Sequence, residues 1–206
     1  MQSRVFLYLF RRPTDVAFDP QGNIYVADGY NNHRVVKYDR NGRYIKQIGT
    51  NLPGKGPGQF NLPHGISADA QGHVFVSDRT NNRVVVLDYD LNYKTAYTNI
   101  GSSWTTCVSL GPHQYLFSSN SNPNGNAPGT WDYTGEIYKM ELDGTIIGKF
   151  GYAGKLAPGF QVTHQLDCRD PNQVIVAEIE SWRVQKFILK GLKQPAKAAA
   201  TPTSAR

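Results

Sequence analysis

A chain of 206 residues is long enough to bury a hydrophobic core as a single domain. Its 20 glycines, 12 prolines and 12 tyrosines are typical of turn-rich β structure rather than of helices. The formal net charge is +6, but the last sixteen residues contribute Lys193, Lys197 and Arg206 without any acid, which leaves about +3 for the rest. Such a charge neither favours nor excludes a nucleic-acid partner. No apolar run approaches the ~20 residues of a membrane span.

The N-terminal segment contains the apolar run VFLYLF at residues 5–10. This run is too short for a signal peptide and lacks a small-residue cleavage site. We expect residues 1–11 to form an edge strand, which is either a stray remnant of an earlier repeat or a strand that closes a small ring by pairing with the last repeat.

The body of the chain repeats one pattern. A short strand is followed by a Gln-Gly turn, then by an alternating strand that ends in an acid such as Asp28 or Asp78, and then by two further strands. The copies occupy residues 12–49, 62–101, 105–151 and 162–189, the last without a convincing fourth strand. Four short strands in each unit of roughly 40–50 residues are typical of β-propeller blades. The sequence therefore predicts an all-β propeller over residues 12–190.

Two segments do not fit the repeat. Residues 120–134 insert a long loop where the other units have a tight turn, and Trp131 and Tyr133 favour an ordered, functional loop. Residues 191–206 contain Pro, Ala, Ser and Thr but no large apolar side chain apart from Leu192, which predicts a disordered tail.

Several side chains have plain structural interpretations. The strand-end acid and the arginine across the next turn are expected to pair, as Asp28–Arg34, Asp78–Arg83 and Glu178–Arg183. Two cysteines do not make a disulfide framework, so Cys107 and Cys168 are interpreted as small buried side chains. Other polar side chains are assigned to turns or strand starts: His33 and His73 to solvated turns, His113 to the start of a strand, and Asp15 to a turn cap.

The segment PTDVAFDPQGNIYVADGYNNHRVVKYD resembles NHL repeats. Together with LPHGIS, VSDRTNNRV, VTHQLD and VAEIESWRVQKF, it resembles the catalytic propeller of the peptidyl-α-hydroxyglycine α-amidating lyases, over residues 12–189. That resemblance implies a six-bladed propeller, of which this chain has four recognisable blades. It also implies a catalytic zinc ion held by three histidines from different blades.

The resemblance assigns four site residues. His64 in LPHGIS and His164 in VTHQLD match two zinc ligands, Tyr30 in DGY matches a catalytic tyrosine, and Arg79 in SDR matches an active-site arginine. The family's remaining histidine comes from a blade that has no counterpart here, so a third ligand could come from missing blades, Cys168, His113 or water. The family's structural calcium uses an aspartate where this chain has Gln165, so the Ca²⁺ site is not carried over.

The resemblance implies cleavage of a peptidyl-α-hydroxyglycine, or a related small α-hydroxy acyl compound, to an amide and glyoxylate. In this interpretation Zn²⁺ would bind the substrate hydroxyl, Tyr30 would act as the base, and Arg79 would favour the phenolate and bind the carboxylate. The alternative is a non-catalytic NHL scaffold that binds protein, peptide or RNA. We expect a monomer. Such lyases are commonly secreted or periplasmic, but the sequence leaves the compartment open.

Overall fold

The computed structural model describes residues 9–121, 135–152 and 154–190. Within these ranges the protein is all-β apart from one short 3-10 turn, which confirms the predicted fold class. Of the edge strand expected over residues 1–11, only residues 9–11 are described, and they are not in a strand. The loop with Trp131 and Tyr133 and the tail 191–206 lie outside the described residues. No helix in the described part of the chain is long and apolar enough to cross a membrane.

The strands form four antiparallel sheets in the described ranges, and each sheet corresponds to one sequence repeat. Blade 1 consists of β1 (Asp15–Phe18), β2 (Ile24–Asp28), β3 (His33–Tyr38) and β4 (Tyr44–Thr50). Blade 2 consists of β5 (Pro63–Ala68), β6 (His73–Asp78), the 3-10 turn (Arg79–Asn81), β7 (Arg83–Asp88) and β8 (Tyr93–Tyr97). Blade 3 consists of β9 (Ser103–Val108), β10 (Leu116–Asn120), β11 (Glu136–Met140) and β12 (Ile146–Phe150). Blade 4 consists of β13 (Thr163–Asp167), β14 (Gln173–Glu178) and β15 (Arg183–Ile188).

The turn between the first two strands of a blade is specified locally by an aspartate and a glycine. In blade 1, Asp19 Oδ1 accepts hydrogen bonds from the backbone N–H groups of Gln21 and Asn23, at 3.0 and 2.9 Å. Asp69 closes the blade 2 turn in the same way. The glycine of the blade 1 turn, Gly22, has a φ of +84°, which side chains rarely adopt. The Asp-x-x-Gly pattern therefore fixes these two hairpins before any tertiary contact forms.

In blades 1, 2 and 4 the strand-end acid and the arginine at or next to the start of the following strand form an ion pair that we call the clasp. The predicted pairs are confirmed: the carboxylate oxygen and the arginine Nε lie 2.9 Å apart in Asp28–Arg34 and 2.7 Å apart in Asp78–Arg83. In blade 4, the Glu178–Arg183 pair is 2.6 Å long. The two partners are also directly opposite each other in the strand register, so the antiparallel pairing itself sets the distance.

Each clasp also forms hydrogen bonds to the chain segment that enters its blade. Arg83 donates from Nη2 to the carbonyl of Gln59 at 2.9 Å, while Asp78 Oδ1 accepts from the N–H of Asn61 at 2.7 Å. In blade 1, Arg34 Nη2 donates to the carbonyl of Leu9 at 2.9 Å, and Asp28 Oδ1 accepts from the N–H of Arg11 at 2.8 Å. The clasp therefore provides hydrogen-bond partners for backbone C=O and N–H groups of the segment that leads into the first strand of the blade.

Side chains from the facing sheets of adjacent blades form three separate cores. The blade 1–2 core contains Tyr25, Val35, Ile66, Val76 and Leu87, the blade 2–3 core contains Phe75, Val84, Ile100, Leu116 and Met140, and the blade 3–4 core contains Phe117, Ile137, Phe160, Leu166 and Val176. The alternation of each strand places one set of side chains on each face. Packing of the blades therefore depends on sheet-to-sheet burial rather than on one central core.

The first strand of each blade lies on the inner side of the arc, next to the first strand of the following blade: β1 beside β5, β5 beside β9, and β9 beside β13. Gln165 of blade 4 reaches Asp15 of blade 1 across the inner side, with 3.5 Å between Nε2 and Oδ1. The residues that begin these inner strands are therefore brought towards one another, as a propeller requires.

The interpretation of the cysteines as unlinked side chains is wrong. Cys107 at the end of β9 and Cys168 just after β13 form a disulfide that joins blades 3 and 4. The two cysteines are 61 residues apart in the chain, and adjacency of their inner strands brings them together. With its sulfur in the disulfide, Cys168 is not a thiolate ligand for a metal ion.

Three of the histidines lie elsewhere than expected. His33 and His73 begin strands β3 and β6 rather than lying in turns. His33 Nδ1 accepts a hydrogen bond from the N–H of Leu62, and His73 Nδ1 lies 2.7 Å from Asp69 Oδ2. His113 precedes β10 instead of beginning it, with its Nε2 2.7 Å from Glu141 Oε2. Strands β3 and β6 therefore begin earlier than the sequence pattern indicated and include His33 and His73.

Removing the carboxylate of a clasp should destabilise the protein strongly. Asp28→Ala leaves the buried guanidinium of Arg34 without its counter-ion and frees the N–H of Arg11, so we expect a loss of about 3–5 kcal/mol in the free energy of unfolding. Lys149→Ala, which removes the exposed Lys149–Glu136 pair, should cost far less, because solvent screens that pair. Urea denaturation of both variants checks this difference. Equal losses would contradict the role given to the clasp.

Candidate functional site

The candidate site lies at the start of the inner strands. Pro63 pairs with Asp78, Ser103 with Asn120, and Thr163 with Glu178, so each inner strand starts opposite the end of its neighbour. The residues that come next in the three strands are His64, Trp104 and His164. These three side chains therefore hold the same position in three successive blades.

A register shift occurs in each of these inner strands at the same place. The pairing slips between Pro63 and Ile66 in blade 2 and between Thr163 and Gln165 in blade 4. Such bulges re-aim a side chain and are common next to functional sites. The slip contains His64 and Gly65 in blade 2 and His164 in blade 4, so both histidines lie at an interruption of the regular strand pairing.

The two histidines meet as the resemblance implied. The centroids of the His64 and His164 rings are 4.9 Å apart, and the rings are nearly perpendicular at 79°. Trp104 lies against both, with ring centroids 5.4 Å from His64 and 5.9 Å from His164. His64 and Trp104 are buried, and His164 is half-buried. The site is therefore an aromatic cluster built from three blades.

The tautomer of neutral His64 is set by its surroundings. His64 Nδ1 is 2.7 Å from the carbonyl oxygen of Trp104, and because a carbonyl only accepts, Nδ1 carries the proton. Nε2 of the neutral ring is then a lone-pair donor. It lies 3.3 Å from the hydroxyl oxygen of Tyr30. A backbone carbonyl that orients one ring nitrogen and leaves the other free is the usual outer-shell arrangement of a metal-binding histidine.

Tyr30 reaches the site because of the glycine before it. A Cβ atom at Gly29 would overlap the carbonyl oxygen of Pro63, so the β2–β3 turn approaches the start of β5 as only glycine allows. This close approach brings the ring of Tyr30 to a centroid distance of 5.8 Å from His64. Tyr30 therefore crosses from blade 1 to the blade 2 histidine.

Arg79 brings positive charge to the cluster. It begins the 3-10 turn after β6, and its guanidinium carbon lies 3.3 Å from the centroid of the Trp104 ring. This is a cation–π stack, which restrains the arginine beside the histidines. The four residues that the sequence assigned to the site thus lie in one cluster. Tyr30 contacts His64, Arg79 stacks on Trp104, and His164 packs against both His64 and Trp104.

Both imidazoles are neutral at physiological pH. Burial lowers the pKa of His64 from 6.5 to about 4, and the neighbouring His164 and Arg79 act in the same direction. The pKa of His164 is lowered by burial and then by Arg79. Neutral imidazole is the form that binds metal ions, so the electrostatics favour ligation.

Two suggested third ligands are elsewhere. Cys168 is in the disulfide, and His113 is hydrogen-bonded to Glu141 beyond the far end of β9. Across residues 9–121, 135–152 and 154–190, no group of three or more His, Cys, Asp or Glu side chains converges. Gln165, at the position of the calcium aspartate, accepts a hydrogen bond from the hydroxyl of Thr105 and donates to Asp15.

Sequence reasoning missed Trp104. Its unit was aligned from residue 105 onward, one position after the tryptophan, because the segment lacks the Pro-His or Thr-His pair of the other units. Alignment of SSWTTCV (102–108) with LPHGISA (62–68) by the strand-end pairing places Trp104 at the position of His64. Asp15 was assigned to a turn cap, but its carboxylate accepts the N–H of Ile66 and so joins blades 1 and 2.

The depressed pKa of His64 predicts an acid-dependent loss of stability in the metal-free protein. Between pH 6.5 and about 4 the unfolded chain binds a proton at this position that the folded protein does not. The free energy of unfolding should therefore fall over this window by about 2–4 kcal/mol as the pH decreases. Urea titrations at several pH values should show a flatter slope for His64→Gln than for wild type. An unchanged slope in His64→Gln would refute the assignment.

Comparison with known proteins agrees with this architecture. The NHL repeat model matches residues 10–38 and 60–87. Peptidyl-glycine alpha-amidating monooxygenase B of Xenopus laevis is 52% identical over 60 residues, which cover 27% of this chain and 7% of that protein. A probable peptidyl-alpha-hydroxyglycine alpha-amidating lyase of Caenorhabditis elegans is 44% identical over 55 residues, covering 27% of this chain and 16% of that one. The chain thus spans a small part of these relatives.

Solved structures share the fold at low sequence identity. A chain of a nidogen/laminin complex superposes with a TM-score of 0.62 at 15% identity, over 87% of this chain and 61% of the other. A streptogramin B lyase superposes with a TM-score of 0.53 at 15% identity, over 87% of this chain and 55% of the other. Identities this low bear on the fold alone. The chain therefore has four propeller blades, and two NHL repeats are matched within it, at residues 10–38 and 60–87.

Proposed function

We propose that this site is the metal centre of a lyase of the peptidylamidoglycolate type, which cleaves a peptidyl-α-hydroxyglycine to a peptide amide and glyoxylate. The observation that carries the proposal is the meeting of His64 Nε2, the His164 ring and the Tyr30 hydroxyl in one cluster. The similarity of part of the chain to amidating proteins supports the same activity. The proposal therefore rests on the arrangement of these three side chains and on the similarity to amidating proteins.

The donor set fits zinc. Imidazole nitrogens are preferred Zn²⁺ ligands, and a catalytic zinc typically has about three protein ligands and one open position, of which His64 and His164 would supply two. His64 offers Nε2 because its Nδ1 is engaged by the Trp104 carbonyl, and the lowered pKa of both histidines keeps them unprotonated. His64 and His164 are the ligands that we propose. When bound, Zn²⁺ would supply Lewis-acid chemistry that lowers the pKa of a substrate hydroxyl.

Tyr30 is placed to handle the proton in this reaction. The carbon–nitrogen bond of the substrate breaks, the hydroxyl group becomes the aldehyde of glyoxylate, and its proton ends on the departing amide nitrogen. A tyrosine base loses its own proton near neutral pH only beside positive charge. The hydroxyl of Tyr30 lies beside His64 Nε2, where a bound cation would provide that charge. Tyr30 would take the hydroxyl proton and return it to nitrogen, so no outside reactant is needed.

Arg79 complements the acidic end of such a substrate. The glycolate portion carries a carboxylate, and guanidinium groups bind carboxylates with charge-assisted hydrogen bonds. Stacking on Trp104 holds the Arg79 guanidinium beside both histidines. The arginine would thus orient the carboxylate while the histidines and Tyr30 address the hydroxyl. These roles would account for the position of the Arg79 guanidinium beside the two neutral histidines.

Glyoxylate release from α-hydroxyhippurate tests the proposal. Purified protein reconstituted with zinc should bind zinc stoichiometrically, by elemental analysis, and release glyoxylate. His64→Ala and His164→Ala should lose both zinc and activity, because each removes a ligand. Tyr30→Phe should keep zinc but lower kcat by about 100–10,000-fold, because it removes only the proton acceptor.

The matched control is His113→Ala, which removes an exposed histidine outside the cluster and should change neither zinc content nor rate. A protein that binds no zinc and releases no glyoxylate after reconstitution would refute the lyase and leave the non-catalytic NHL scaffold. Full activity of Tyr30→Phe would refute the role of Tyr30 alone.

A further inference from the structure

The inner strands carry a second set of equivalent positions next to the candidate site. Each lies one residue further along its strand than the position that His64 holds in blade 2. They are Asp15 in blade 1, Gly65 in blade 2, Thr105 in blade 3 and Gln165 in blade 4. The register supports this equivalence in blades 1 and 4, because Asp15 pairs with Ala27 and Gln165 with Ala177, each the residue before a clasp acid.

These residues connect all four blades around the centre. The hydroxyl of Thr105 donates to Gln165 Oε1, which joins blades 3 and 4. Gln165 Nε2 donates to Asp15 Oδ1 at 3.5 Å, and Asp15 Oδ2 accepts the N–H of Ile66 at 3.0 Å, which brings in blades 1 and 2. Between blades 2 and 3, a Cβ atom on Gly65 would lie 2.5 Å from Thr105 Cα. We call Thr105, Gln165 and Asp15 the central bridge.

The direction of the Gln165 amide follows from its two partners. A carboxylate only accepts hydrogen bonds, so the amide nitrogen faces Asp15, and the amide oxygen accepts the proton of the Thr105 hydroxyl. Both ends of the amide are therefore engaged. The end that faces the Asp15 carboxylate is an N–H group, which cannot coordinate a cation.

The carboxylate of Asp15 receives three N–H donors. Besides Gln165 Nε2, it accepts the backbone N–H of Ile66 at 3.0 Å and that of Val16 at 2.9 Å. Burial raises the pKa of Asp15, while these hydrogen bonds act against that rise because they favour the charged form. The donors thus offset part of the cost of burying this charge.

The residues at this level do not fit the structural calcium that the resemblance to the amidating lyases implies. Calcium is bound by about six to eight oxygen ligands, among which carboxylates supply the charge. Where that site would use an aspartate, this chain has the uncharged Gln165, whose oxygen is engaged by Thr105 and whose nitrogen faces Asp15. The arrangement thus links side chains to each other where a cation would link oxygen ligands.

We propose that the central bridge takes the place of the structural calcium of the lyases that this chain resembles. It joins the inner strands of blades 1, 3 and 4 across the centre by hydrogen bonds, so this part of the fold needs no cation. Because Gln165 directly follows His164, the bridge also restrains the strand that carries this histidine.

Thermal unfolding of the metal-free protein, in a chelator and in calcium, tests this proposal. The wild-type Tm should agree within about 1 °C between the two solutions, because a cation stabilises only a fold that binds it. Gln165→Leu should lower Tm by about 2–4 °C in both, since Thr105 and Asp15 each lose a partner. Gln165→Glu should lower Tm further in the chelator, because its carboxylate faces that of Asp15, and calcium should reverse this loss.

Two further variants locate the effect. Gln21→Glu adds the same charge in the exposed β1–β2 turn and should behave as the wild type in both solutions. Asp15→Asn combined with Gln165→Glu leaves one amide and one carboxylate at the bridge, so calcium should no longer raise Tm.

Three results would overturn the proposal: a wild-type Tm that rises by several degrees in calcium, Gln165 variants that unfold at the wild-type Tm, or an equal calcium response of Gln165→Glu and Gln165→Leu. Neither zinc nor substrate is present in these measurements. Their outcome is therefore independent of the lyase activity proposed above.

Discussion

The clasp is the interaction on which the rest of the molecule depends. An acid and an arginine that face each other across a strand pair are too costly to bury singly, but together they neutralise each other and bind the backbone of the segment that enters the blade. Strand pairing, blade connection and the start of the inner strand are therefore fixed at one point. In blades 2 and 4 the first residue of the inner strand lies directly opposite the clasp acid, so the positions of His64 and His164, one residue further on, follow from the clasp.

The candidate site uses this regularity. A bulge at the same place in successive inner strands brings His64 and His164 together, and Trp104 packs against both. None of these residues is held by its sequence neighbours alone. Each depends on the angle between blades, which the apolar cores set. A change in blade packing would therefore act on the site without touching any of its side chains.

Repetition made much of this predictable from sequence. The clasp pairs and the equivalence of His64 and His164 recur at a fixed place in each unit, so an alignment of the units reveals them. Contacts between non-equivalent positions do not recur and were missed: the Cys107–Cys168 bridge depends on which strands become neighbours, and Trp104 replaces a histidine within its column. The approach of Tyr30 to His64 was expected from resemblance, and its physical cause, Gly29, was visible only in three dimensions.

The disulfide has a consequence for the spacing of the two histidines. Trp104 and Cys107 share strand β9, while His164 and Cys168 lie on and just after β13, so the covalent link is made between the two strands that carry these rings. In an oxidising environment, β13 is tethered to β9, and His164 is kept against Trp104 and His64. In a reducing one, only non-covalent packing of an end blade retains it. The disulfide therefore bears on the distance between the His64 and His164 rings, although neither histidine touches it.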